Sequence, residues 1–142
     1  MKKSNVLFSV NSNLDYALLL LRIWLGTGLF VNHGWEKIAH FSEMSGRFPD
    51  PLLVGKTVGL VFALLSDTLC SIFVAVGLST RIASVVVIIN MAVAFFIFWH
   101  AALNKIDGEL CFIYLGGYLV ILMAGPGRYS VDALINESKK KY

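Results

Sequence analysis

Four apolar stretches, near residues 14–34, 54–78, 82–101 and 109–125, occupy most of this chain. A helix of about 20 residues spans a hydrocarbon core of about 30 Å, and each stretch reaches or approaches that length. In lipid every backbone N–H and C=O must be satisfied internally, which leaves helices as the economical reading for four such runs. Composition agrees: 57% of the 142 residues are hydrophobic and 15% are charged, against about a quarter charged in soluble domains. The expected fold is all-α, an integral membrane four-helix bundle in one domain covering residues 1–142, with the lipid bilayer as its first partner.

The connections set the order of the helices. Gly77–Leu78–Ser79–Thr80–Arg81 and the segment from Asn104 to Gly108 are short turns, which favour antiparallel neighbours. The longest connection, 38–53, holds Phe48–Pro49–Asp50–Pro51, where two prolines prevent a continuous helix. Its interleaved aromatic and polar residues suit a short interfacial helix. Seven basic residues (Lys2, Lys3, Arg81, Arg128, Lys139, Lys140, Lys141) flank one side, and four (Lys37, Arg47, Lys56, Lys105) the other. The imbalance predicts an up-down bundle with both termini cytoplasmic. No cleavable signal is evident, so the first helix is expected to remain as an anchor. The basic residues form membrane flanks rather than a stripe, which argues against nucleic acid.

Ionisable residues interrupt the apolar runs, and a charge at mid-bilayer costs at least ~3 kcal/mol on insertion scales. Such groups face the bundle interior and find partners. Depth arithmetic at 1.5 Å per residue predicts a structural ion pair between Arg22 and Asp67, with Asn90 at a similar level. A second layer lies outward: His33, His100 and Glu109 are the candidate catalytic residues, with Glu36 and Lys37 one turn beyond His33. Gly116 and Gly117 lie below Glu109 and either admit close helix packing or leave a slot. Lys37, Asn90, Gly116 and Gly117 are therefore the candidate ligand-binding residues. Tyr114 and Tyr118 are read as lipid-facing or core.

Several chemistries are set aside. Cys70 and Cys111 stand at different depths, beyond disulfide reach, and read as inert thiols. Phosphate-cradling glycine loops, Gly-x-Ser-x-Gly and His-Glu-x-x-His are all absent from the sequence. His33, His100 and Glu109 supply at most three zinc ligands, and no metal is expected. Haem held between His33 and His100 is disfavoured, because cofactor-free histidines at helix ends are common.

The linear order of these residues resembles the DoxX family of small bacterial four-helix membrane proteins. The resemblance rests on Arg22, His33–Gly34, Lys37, Asp67, Gly77–Leu78–Ser79–Thr80–Arg81, His100 and Glu109. It continues through the closing Gly125–Pro126–Gly127–Arg128–Tyr129–Ser130–Val131–Asp132. Family members more often carry glutamate where this chain has Asp67, which shortens the reach to Arg22. The resemblance implies a protein of the bacterial cytoplasmic (inner) membrane. It implies a subunit of a quinone-linked oxidoreductase or oxidative-stress complex; the cofactor stays unknown with quinone a candidate, and electrons would come from a soluble or membrane partner or from a bound cofactor. The residues alone leave open a non-enzymatic protein that binds or carries a lipophilic molecule, and a structural scaffold.

Overall fold

The computed structural model describes residues 4–139, with side chains from residue 13 onward. The chain is all-α, with no strand among the described residues. Four helical spans are long and apolar enough to cross a membrane: Asn13–Ala39, Lys56–Val76, Thr80–Phe98 and Ile106–Ala124. Each buries one narrow stripe. On the first span the stripe is Leu18, Arg22, Leu25 and Leu29; on the third it is Ala83, Val87, Met91 and Phe95. Large apolar side chains such as Trp24, Ile82 and Met123 point outward, an arrangement suited to lipid and costly in water. The third and fourth spans pack along their length, and the first packs on the latter half of the second.

Missing side chains set how closely the first two spans approach. A Cβ on Gly26 would lie 2.5 Å from the Ser71 carbonyl oxygen, and one on Gly34 would lie 2.5 Å from that of Asp67. Both obstacles are backbone and cannot rotate away. Small residues are the usual means of bringing backbones together in lipid, where no hydrophobic force drives helices into contact.

Three spans widen into π-helical turns, at Phe30–Gly34, Ser66–Cys70 and Val93–Phe98. The first two pack against each other. A π turn inserts a residue into the helical repeat and rotates the side chains beyond it, and such turns are frequent at functional sites.

The span limits differ from those read in the sequence. The first span continues through its π turn to Ala39 instead of stopping near residue 34. The third ends at Phe98, because His100 and Ala101 take positive φ angles of 51° and 56° and turn the chain. The fourth begins at Ile106, which moves Glu109 from the helix start to the end of its first turn. In the long connection only Phe41–Ser45 forms a separate short helix. Beyond the fourth span a further helix, Val131–Lys139, follows Gly125–Pro126–Gly127. Of the flanking lysines used for orientation, Lys2, Lys3, Lys140 and Lys141 lie outside the described residues.

The closing segment fastens one end of the bundle. The second span ends in a Schellman turn, with Gly77 N–H donating to Val74 and Leu78 N–H to Phe73. Gly77 takes φ +79°, a conformation glycine adopts without strain. Asp132 then caps the third span from 52 residues away: its carboxylate accepts from Ser79 N–H (2.7 Å), Thr80 N–H (2.9 Å) and the Thr80 hydroxyl (2.8 Å). Its own N–H donates to the Gly77 carbonyl, and Arg128 N–H donates to Asp15. Burial pushes the Asp132 carboxyl up, but the hydrogen bonds from Thr80 and Ser79 and the nearby Arg22 charge outweigh it, leaving the group below its ordinary value.

Asp132→Ala removes this cap and is expected to cost about 1–2 kcal/mol, read as a lower unfolding temperature in detergent. The lowered folded value also fixes the sign of the pH dependence. The stabilisation is whole above the free carboxyl value of about 3.9 and is lost as pH falls through the lower folded value. The alanine variant should therefore lose less stability than wild type over that acid range; equal losses would show that the cap does not carry the dependence.

Candidate functional site

Lys37 is the cation that Asp67 holds. Its Nζ lies 2.8 Å from Asp67 Oδ2, with the two side chains 11% and 3% exposed. The ammonium also donates to the His33 carbonyl at 3.1 Å. On the other side of the carboxylate, Asn90 Nδ2 donates to Asp67 Oδ1 at 3.0 Å. Three spans thus meet at one carboxylate. Sequence reasoning missed the pairing because it ended the first span too early. With that span running on to Ala39, Lys37 comes four residues after His33 inside the bundle, and Gly34 lets its backbone approach Asp67 closely.

A cavity of about 230 Å³ opens on this group. His33, Lys37, Asp67, Asn90 and Asp107 supply its ionisable and amide side chains, and Tyr114, Trp99 and Cys111 complete much of the wall. The His33 ring meets Tyr114 edge-on, with centroids 6.1 Å apart. Next to it lies a groove of about 400 Å³ between the second and third spans, roofed by Phe48 and Pro49 and walled by Val58, Phe62, Ile89 and Val93. Asn90, Ala94, Phe98, Phe48 and Pro49 line both spaces. An apolar space ending in a few convergent polar groups is the common form of a small-molecule site.

The structure brings His33, Lys37, Asp67 and Asn90 together. His100 and Glu109 line neither space and are exposed. His100 sits in the turn after the third span, and Glu109 faces outward from the fourth. Among the described residues no three His, Cys, Asp or Glu side chains gather at metal-ligand range, so His33, His100 and Glu109 do not form the three-ligand arrangement. The glycines also part company. Gly116 is exposed, with nothing within 4 Å of its Cβ position, while Gly117 packs on Leu25; neither lines a cavity. Tyr118 is fully buried core and Tyr114 is a cavity wall. Asp107 escaped notice because the fourth span was expected to start after it; its place two residues before Glu109 was the available signal.

Arg22 and Asp67 are not partners. Arg22 is fully buried near the opposite end of the bundle, where its Nη2 donates to the Tyr129 carbonyl at 2.5 Å. A Cβ on Gly77 would collide with its Nη1, so the glycine that ends the second span also makes room for the guanidinium. Depth arithmetic placed Arg22 and Asp67 within reach of each other but could not see that the chain folds back after the fourth span to meet Arg22.

The DoxX family profile matches residues 17–106, well over half of the chain. The chain belongs to the DoxX family. The match takes in Arg22, His33, Lys37, Asp67 and Asn90 and stops before the closing segment that binds Arg22. An uncharacterized protein of Haemophilus influenzae is 28% identical over 127 residues, covering 85% of this chain and 84% of that protein. No solved structure matches. The DoxX assignment and the four apolar helices together describe a multi-pass membrane protein.

In this DoxX protein the Lys37–Asp67 pair sets a clear double-mutant test. Lys37→Met or Asp67→Leu alone leaves a buried charge without its partner and should destabilise by about 3–5 kcal/mol. The two changes together should recover most of that loss in detergent unfolding. Arg22→Leu with Asp67→Leu should show no such recovery; a rescue there would restore the Arg22–Asp67 pairing.

Proposed function

We propose that this DoxX protein is a quinone-binding subunit of a membrane oxidoreductase. In this reading its spans alternate in direction in a bacterial inner membrane, with both termini cytoplasmic. The observation that carries the proposal is the buried Lys37–Asp67 pair, bonded to half-buried Asn90, in a cavity that shares Asn90 with an adjoining apolar groove. A quinone ring needs polar atoms at its carbonyls and apolar walls elsewhere, and the two adjoining spaces offer that division. Lys37 Nζ and the Asn90 amide are the donors available to a carbonyl oxygen. The Asp67 carboxylate holds both of them in place, and His33 with Asp107 stands along the same cavity as proton-carrying groups. A bound quinone supplies the capacity to take up electrons, which reach it from a soluble or membrane partner.

The orientation draws on the basic flanks. With Lys37 drawn into the bundle, the side bearing the long connection keeps Arg47, Lys56 and Lys105, three basic flank residues against seven on the other. A second reading, a non-enzymatic protein that binds or carries a lipophilic molecule, is favoured by the groove's almost wholly apolar lining.

The test is binding of a short-tailed benzoquinone to protein purified in detergent, read by quenching of Trp99 with Trp24 and Trp35 replaced by Phe. Asn90→Leu spares the ion pair and removes one donor, so affinity should fall up to about tenfold, the scale of one hydrogen bond. His100→Ala should bind as wild type. No quenching by any quinone, with none in lipid extracts of the purified protein, would sink the proposal. Binding without electron transfer in native membranes would favour the second reading.

A further inference from the structure

We propose that the groove between the second and third spans is a tail site. It takes the single hydrocarbon tail of the molecule whose polar ring sits in the Lys37–Asp67 cavity, so that this molecule arrives sideways from the lipid. The inference rests on the ring-binding reading above and extends it to a ligand class: a polar ring bearing one long apolar tail.

Three observations point the same way. The first is continuity, since five residues line both spaces and Asn90 stands at the junction with its amide on Asp67. A tail leaving the cavity past Asn90 and Ala94 runs directly into the groove. The second is chemistry. The groove wall is apolar apart from Asn90 and Asp50, and both Asp50 oxygens are already used, accepting from Val54 N–H and Gly55 N–H at 2.9 Å each. Away from Asn90 at the junction, no groove side chain offers an unused polar atom for a second headgroup.

The third is the roof, a built turn rather than a loose loop. Besides the Asp50 bonds, Phe48 N–H donates to Met44, and Lys56 Nζ reaches the Gly46 carbonyl at 3.2 Å. These bonds hold Phe48 and Pro49 over the place where the groove and the cavity join. At the side, Val58, Phe62 and Ile89 are exposed apolar residues that face lipid. The groove is therefore closed above by protein and bordered laterally by membrane.

Gly59 supplies a clean probe. A Cβ there would meet Phe48 and the Pro49 carbonyl at 3.7 Å, ordinary contact distance. Gly59→Leu therefore fills the groove without forcing backbone apart, and Val93→Phe fills it from the third span. Binding of a decyl-tailed benzoquinone and of its tail-less ring is compared in wild type and both variants, using Trp99 quenching. The tailed compound should bind wild type more tightly than the bare ring. In both variants it should lose at least about tenfold, the scale of one methylene's contact in a hydrophobic pocket, while the bare ring is unaffected.

Equal affinity of the two compounds for wild type would overturn the tail site and leave the ring site standing. Release of a tightly held phospholipid on filling the groove, with the tailed compound unaffected, would assign the groove to a membrane lipid and overturn it as well. Loss of both compounds in both variants would likewise overturn a separate tail site. If neither compound binds wild type, the ring-binding reading itself fails.

Discussion

The contact between Lys37 and Asp67 organises the half of this bundle that lies away from Arg22. A carboxylate in that setting is costly unless a cation and further donors reach it, and the chain brings them from two other spans. Gly34 lets the first span approach closely enough for Lys37 to arrive, and Asn90 completes the carboxylate from the third. All three spans relax into π turns within a few residues of this group. A wide turn shifts every later side chain around the helix, and that shift allows Lys37 to continue the inward face begun by Arg22 and Leu29. The cavity takes part of its lining from all three widened turns: His33 from the first, Asp67 from the second, and Ala94 with Phe98 from the third.

The architecture was largely legible in the sequence, because membrane spans announce themselves through length and hydropathy, and those depend on local composition. The four spans differ from their sequence limits by a few residues. Such small differences decided which side chains form the site. Five more residues on the first span carry Lys37 inward, and an earlier start to the fourth brings Asp107 to the cavity mouth in place of Glu109. Asn90 was readable from its depth. His100 was misplaced because nothing in a run of apolar residues signals the positive-φ turn that ends the third span.

Arg22 shows a different limit. A fully buried guanidinium demanded a partner, and the sequence offered Asp67 as the only acid at its level. The partner proved to be a backbone carbonyl at Tyr129, 107 residues away. Carbonyls carry no sequence signature, so no pattern of residue types could have named this one. The closing motif was recognisable as a motif, but its work is mechanical: it returns the chain to the bundle, seats Arg22 and caps the third span.

That return has a consequence for assembly in the membrane. Arg22 and the Tyr129 carbonyl are 107 residues apart, so the first span is synthesised before the acceptor of its guanidinium, with three further spans made in between. The start of the third span waits likewise for Asp132. One end of the bundle is therefore completed only once segment 125–132 follows the fourth span and reaches it. A chain cut short before that segment would lack both the acceptor for Arg22 and the cap of the third span.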